Sequence, residues 1–162
     1  MPELERRSLG KTGLRPKALG IGCAWFGSEK SSDADTKSGL HRAIELGLDF
    51  IDTSAGYGDS ERRVGLALKG GFREKIFLQT KAGTHPNHRG DFSGKTIRWS
   101  VENSLRLLKT EYLDSVLIHD PQEIEKPLAP GHALDELLKM KQEGVIGHVG
   151  LGVRQHDFHK KA

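Results

Sequence analysis

Cysteine is almost missing from this sequence: Cys23 stands alone, so no internal disulfide can form and nothing points to an oxidising compartment. Charge of one sign is missing too. The 25 Lys and Arg against 22 Asp and Glu leave a net +3 spread along the chain, with no basic block of the kind that binds nucleic acid. Long apolar runs are absent, and no stretch approaches the roughly 20 residues a bilayer requires. The N-terminal stretch Met1-Pro2-Glu3-Leu4-Glu5-Arg6-Arg7 has charges but no apolar segment after them, so it does not read as a secretory signal. These absences lead us to expect a soluble, cytoplasmic protein with no nucleic-acid or membrane partner.

What is present is a regular alternation. Residues 1–162 read as one domain, since 35% hydrophobic residues over this length suffice for an ordinary core. Short apolar or β-branched runs alternate with segments of helical period, the pattern of a parallel sheet with helical crossovers. Five strands are predicted at 18–22, 49–53, 75–80, 114–119 and 147–152. Ahead of them, residues 6–9 and 14–17 flank Gly10-Lys11-Thr12-Gly13, which predicts a β-hairpin because both glycines accept positive φ.

Leu40, Ala43, Ile44 and Leu46 share one helix face ahead of Gly47, and Val64, Leu66, Ala67 and Leu68 fall in a second helix ahead of Gly70. Ile97, Val101, Leu105 and Leu108 predict a third, with Ser93 available as N-cap, and Leu134, Leu137, Leu138 and Met140 a fourth that ends at Gly144. The strand-helix period of about thirty residues suits a closed barrel or an open doubly wound sheet.

Four ionisable residues fall where predicted strands end. Asp52 closes the second strand and Tyr57 follows it in the Gly-rich loop Ala55-Gly56-Tyr57-Gly58. Lys81 comes straight after the third strand, and His119 ends the run Leu117-Ile118-His119. Taken singly, each has an ordinary explanation: a strand-end Asp caps loop amides, a loop Tyr is an anchor, and a lone His is structural. Together they lie on the edge of a parallel sheet where α/β barrels build their sites. Their chemistry also coheres. An ammonium near a phenol favours phenolate, so Lys81 could tune Tyr57, Asp52 could orient Lys81, and His119 could donate to a substrate oxygen. Eight histidines raise the alternative of a metal-dependent hydrolase, but His85, His88, His148, His156 and His159 do not fall in a ligand pattern, and no metal is expected.

The sequence resembles the aldo-keto reductases through Arg7-Ser8-Leu9-Gly10-Lys11-Thr12-Gly13-Leu14, Phe50-Ile51-Asp52-Thr53, Tyr57-Gly58-Asp59-Ser60-Glu61, Thr80-Lys81, the helix Ser104-Leu105-Arg106-Leu107-Leu108, and Ile118-His119-Asp120-Pro121. The resemblance implies a (β/α)8 barrel and hydride transfer between NADP, or NAD, and an aldehyde, ketone or aldose. Tyr57 would be the general acid, working with Asp52, Lys81 and His119. It implies nicotinamide contacts around Gly22, Cys23 and Asp52. His119-Asp120-Pro121 and Gly150-Leu151-Gly152-Val153-Arg154 look most like the branch that oxidises aldoses at C1, such as the fucose, galactose and threo-aldose dehydrogenases.

Two departures from the family pattern stand out. Where many members have Ser-Asn after the fifth strand, this chain has Arg154-Gln155. A full barrel takes about 250 residues, whereas this sequence ends after the fifth strand, so the expected fold is a parallel (β/α) barrel truncated there. By resemblance, the phosphate- and adenosine-binding loops belong to the part not present. Open first and fifth strands invite self-association, and a catalytically inactive half barrel serving as an interaction or assembly module is the alternative function.

Overall fold

The computed structural model describes residues 4–161. Met1–Glu3 of the N-terminal stretch considered above, and Ala162, lie outside the described residues. Five strands run β1 (Ile21–Gly22), β2 (Phe50–Asp52), β3 (Phe77–Ala82), β4 (Leu113–His119) and β5 (Ile146–Gly152), all parallel and in sequence order across one sheet. The helices are α1 (Asp33–Glu45), α2 (Ser60–Ala67), α3 (Gly94–Leu108), α4 (Glu125–Leu128), α5 (Ala133–Gln142) and α6 (His156–Lys161). This is the expected truncated (β/α) barrel.

The predicted hairpin forms: Arg7 N–H donates to Pro16 O at 3.0 Å and Leu9 N–H to Leu14 O at 3.0 Å, with φ of 52° at Gly10 and 77° at Gly13. Ala18 N–H donates back to Glu5 O at 2.7 Å, so the residues expected to open β1 extend the hairpin instead. β1 proper is only two residues long.

β3 also differs from expectation. It starts at Phe77 and runs through Ala82, because residues 73–75 form a 3-10 turn. Arg73 fixes that turn, donating to Ile76 O at 3.1 Å, to Tyr112 O at 2.9 Å and to the Asp114 carboxylate at 2.9 Å. Lys81 is therefore inside the strand, not after it.

α1 is opened by a reciprocal capping box that the sequence reading did not identify. Asp35 N–H donates to Ser32 Oγ, and Ser32 N–H to the Asp35 carboxylate, each at 3.0 Å. At α3, Ser93 occupies the N-cap position, but its side chain makes no capping bond. Asp91 takes over, accepting from Ser93 N–H and from Thr96 Oγ1.

Leu40, Val64, Ile97, Val101, Leu108, Leu137 and Met140 from the helices pack on Ile51, Leu78, Val116, Ile118 and Ile146 of the strands. These belong to the apolar stripes read from the sequence, but Leu46 and Leu138, placed in the same stripes, are exposed: Leu46 is the C-terminal cap of α1 and Leu138 follows the buried Leu137 onto the outer face of α5. α2 and α3 approach closely at Gly65, where a Cβ would stand 2.2 Å from Leu107 O.

The other face of the sheet is polar. The strand registers align Gly22, Asp52, Gln79, Ser115 and His148 in one row across β1 to β5. Period-two alternation puts Lys81, Leu117 and Gly150 in the next row on the same face. All strands point their C-terminal ends to one edge, which is where the candidate site lies.

Candidate functional site

Asp52, Tyr57, Lys81 and His119 converge at that edge. Lys81 is 7% exposed, and its ammonium donates to Asp52 Oδ2 at 2.6 Å and to Thr53 O at 2.9 Å. Its third direction faces Tyr57, with 3.4 Å from Nζ to the phenol oxygen and 4.8 Å to the ring centroid. A buried ammonium thus has a carboxylate, a carbonyl and a phenol around it. The Tyr57 and His119 rings meet edge to face with centroids 5.7 Å apart.

The loop carrying Tyr57 is held at its backbone. Ser60 Oγ donates to Cys23 O at 2.7 Å, and Asp59 N–H donates to Gly27 O at 3.3 Å. At Gly27 a Cβ would come within 1.6 Å of Tyr57 O, so the β1 loop and the Tyr57 loop touch only because residue 27 has no side chain.

Asp52 is oriented from its other oxygen. Gln79 Nε2 donates to Asp52 Oδ1 at 2.7 Å, and Ser115 Oγ donates to Gln79 Oε1 at 2.8 Å. A directional chain therefore runs Ser115 to Gln79 to Asp52 along the inner row of the sheet, with Lys81 bridging Asp52 to Tyr57.

His119 is the last residue of β4 and is buried. Burial first, and then the Lys81 ammonium, hold its imidazole below the ordinary pKa, against the opposing pull of Asp120 and Asp52. The neutral ring is therefore favoured. Asp120 follows with φ of 41°, a left-handed backbone uncommon for a non-glycine residue, and its Oδ2 is 3.7 Å from His119 Nε2.

Sequence reasoning missed four contributors: Gln79, Ser54, Thr84 and Glu61. Ser54 and Thr84 hydroxyls both lie on His119 Nδ1, at 2.9 Å and 2.8 Å. Glu61 is buried and accepts from Thr80 Oγ1 at 2.6 Å, and burial pushes its carboxyl up. The period-two alternation that puts Gln79 on the face of Lys81 was readable; the meeting of Ser54 with His119 across 65 residues of sequence had no local signal.

Of the residues expected to meet a nicotinamide, Gly22 is next to Asp52 in register and has open space where a side chain would stand. Cys23 is fully buried, its thiol pushed up to about 12 by burial, and its backbone is already engaged: its N–H donates to Asp52 O at 2.8 Å and its carbonyl accepts from Ser60 Oγ, so it braces the loop beside Asp52 rather than offering a surface to a ligand. The bare backbone at Gly22 beside a polar cluster fits a flat ring. A cleft of about 630 Å³ opens between the loops after β3 and β4, walled by Thr84, Arg89, Asp120, Gln122, Glu123 and Lys126; His119 does not line it, but Thr84 on its wall is hydrogen-bonded to the imidazole. His85 and His88 sit edge-on to the exposed Trp99 at 4.7 and 4.8 Å, His88 itself facing solvent. Among the described residues, no group of three or more His, Cys, Asp or Glu gathers as a metal site.

The profile of the Aldo/keto reductase family matches residues 18–161. The chain belongs to the aldo/keto reductase family. L-galactose dehydrogenase of Arabidopsis thaliana is 32% identical over 157 residues, covering 93% of this chain and 49% of the relative. 6-dehydroglucose reductase of Novosphingobium aromaticivorans is 29% identical over 151 residues, covering 87% and 50%. The holo form of an aldo-keto reductase from Bacillus halodurans superposes with a TM-score of 0.84 at 28% identity, over 98% of this chain and 53% of that one. This aldo/keto reductase chain spans about half the length of the curated relatives it matches. Oxidoreductase-type chemistry is the family's general character, and no helix among the described residues is long and apolar enough to cross a membrane.

Proposed function

We propose that this chain carries the proton-transfer half of an NAD(P)-dependent oxidoreductase site that interconverts a carbonyl and an alcohol, with NADP as the preferred cofactor. The observation that carries the reading is the Lys81 ammonium set between the Asp52 carboxylate at 2.6 Å and the Tyr57 hydroxyl at 3.4 Å. In reduction, the Tyr57 O–H gives its proton to the carbonyl oxygen, and the ammonium stabilises the phenolate left behind. Asp52 keeps Lys81 charged and aimed. The His119 Nε2–H binds the same substrate oxygen and polarises the carbonyl. The reverse direction runs the proton back to Tyr57. The cofactor, when bound, would supply or accept the hydride at the carbonyl carbon, with Gly22 and Asp52 beside its nicotinamide.

An aldose, or the carbonyl compound made from one, is the substrate class this reading favours. Its support is the polar wall of the cleft between the loops after β3 and β4 and the similarity to two sugar-active relatives. The single buried thiol agrees with a reducing, cytoplasmic setting.

Titration of the 162-residue chain with NADPH and NADP⁺ by nicotinamide fluorescence tests the reading, with Tyr57→Phe as the turnover control on an aldehyde and an aldose. Saturable binding and Tyr57-dependent turnover are expected. Cofactor binding without any Tyr57 dependence would overturn the assignment of the proton donor. A second reading, an assembly module without catalysis, is favoured by one feature: among the described residues no strand pairs with the outer edges of β1 and β5. Self-association with no cofactor binding at millimolar concentration would select it.

A further inference from the structure

Two hydroxyls without a part in the chemistry above meet at one nitrogen. Ser54 follows β2 and is fully buried; Thr84 follows β3 and is half-buried. Their oxygens stand 2.9 Å and 2.8 Å from Nδ1 of His119, so loops after two neighbouring strands converge on an imidazole carried by a third.

The direction of at least one of these bonds is set by its surroundings. Ser54 Oγ accepts the Gly56 N–H at 3.1 Å and, among the described residues, has no acceptor for its own buried O–H other than Nδ1, so a bond in the reverse direction would leave that proton unsatisfied. A neutral imidazole that accepts at Nδ1 carries its proton on Nε2. That nitrogen is the one on the Asp120 side, 3.7 Å from the carboxylate, where a proton on it is electrostatically welcome.

We propose that Ser54 and Thr84 are positioning residues that act through His119, locking it as the neutral Nε2–H tautomer so that it meets a substrate oxygen as an uncharged donor. The charged groups around the ring come from every neighbouring element. Lys81 on β3 and Arg154 beyond β5 disfavour a second proton, while Asp52 on β2 and Asp120 after β4 favour one. Burial and the hydroxyl donors to Nδ1 tip this balance to the neutral ring. The donor role rests on the function proposed above; the tautomer does not.

Long-range 1H–15N correlation spectra of the uniformly 15N-labelled full chain read the tautomer directly, and a His119→Gln spectrum identifies the His119 signals among those of the eight histidines. Above its pKa, His119 is expected to show an unprotonated Nδ1 and a protonated Nε2. In a Ser54→Ala/Thr84→Val double variant the ratio of Nε2–H to Nδ1–H tautomer should fall about fivefold, since the two hydroxyls share the single Nδ1 lone pair and together contribute about the energy of one neutral hydrogen bond. The His119 titration midpoint should rise in the same variant, and Thr84→Ser alone should keep wild-type behaviour. A wild-type ring protonated on Nδ1 overturns the proposal with no variant needed. So does a folded double variant whose tautomer and midpoint are unchanged. If turnover fails while the tautomer result stands, the function proposed above is wrong and this inference is not.

Discussion

Lys81 holds the site together through three donor directions, and its removal should affect more than chemistry. Lys81→Met leaves Asp52 with Gln79 as its remaining side-chain donor, so we expect a loss of about 2 kcal/mol or more in urea unfolding, along with abolished turnover. Gln79→Leu should be milder in stability but should lower kcat, because Asp52 Oδ1 and Ser115 Oγ each lose a partner. His119 adds a pH dependence. Its folded pKa is depressed, so the unfolded chain takes up a proton first as pH falls. Stability should therefore be flat above the ordinary value of 6.5 and decline below it, until the folded ring also protonates. Thermal melts of the wild type and His119→Gln across that window check this; the variant should show the shallower decline. The convergence of Asp52, Tyr57, Lys81 and His119 was legible in the sequence because each lies near a strand's C-terminal end or in the loop that follows it, a position with strong chemical meaning in a parallel sheet. Ser54, Thr84 and Glu61 were not. Hydroxyls and carboxylates are common in loops and first helical turns, and only the fold shows that these meet His119 or Thr80.

At the scale of elements, apolar periodicity carried the assignments that held. The faces through Leu40, Val64, Ile97 and Leu137 are buried as read, because a three-to-four-residue repeat leaves few other ways to cover those side chains. Boundaries failed where other hydrogen bonds, from a side chain or from the hairpin backbone, outcompeted the ladder. Arg73 draws residues 73–75 into a turn, and the hairpin claims Ala18. α4 and α6 were missed for a related reason: four and six residues are too few to show a period. α2 and α3 touch backbone to backbone at Gly65. Gly65→Ala should force α2 away from α3 and cost about 2 kcal/mol despite its better helix propensity, measurable as a lower melting temperature. Gly27→Ala should do its damage elsewhere, displacing the Tyr57 loop and reducing turnover more than stability.

For the whole molecule, we expect solution behaviour to follow from the outer edges of β1 and β5, which have no strand partner among the described residues. Sedimentation of the isolated chain should give a mass above 17.9 kDa that rises with concentration; a constant 17.9 kDa would show the edges to be adequately shielded by the hairpin and loops. The spatial order of the strands has a further consequence. Because β1 to β5 neighbour one another in the order in which they are made, each strand emerging from a ribosome finds its partner already synthesised, roughly thirty residues upstream. The sheet can thus grow one unit at a time, and the residues from β2, β3 and β4 join the site in the sequence Asp52, Tyr57, Lys81, His119. A nascent chain arrested just after β3 would already contain the Asp52–Lys81 ion pair, and the last of the four groups to arrive would be the imidazole.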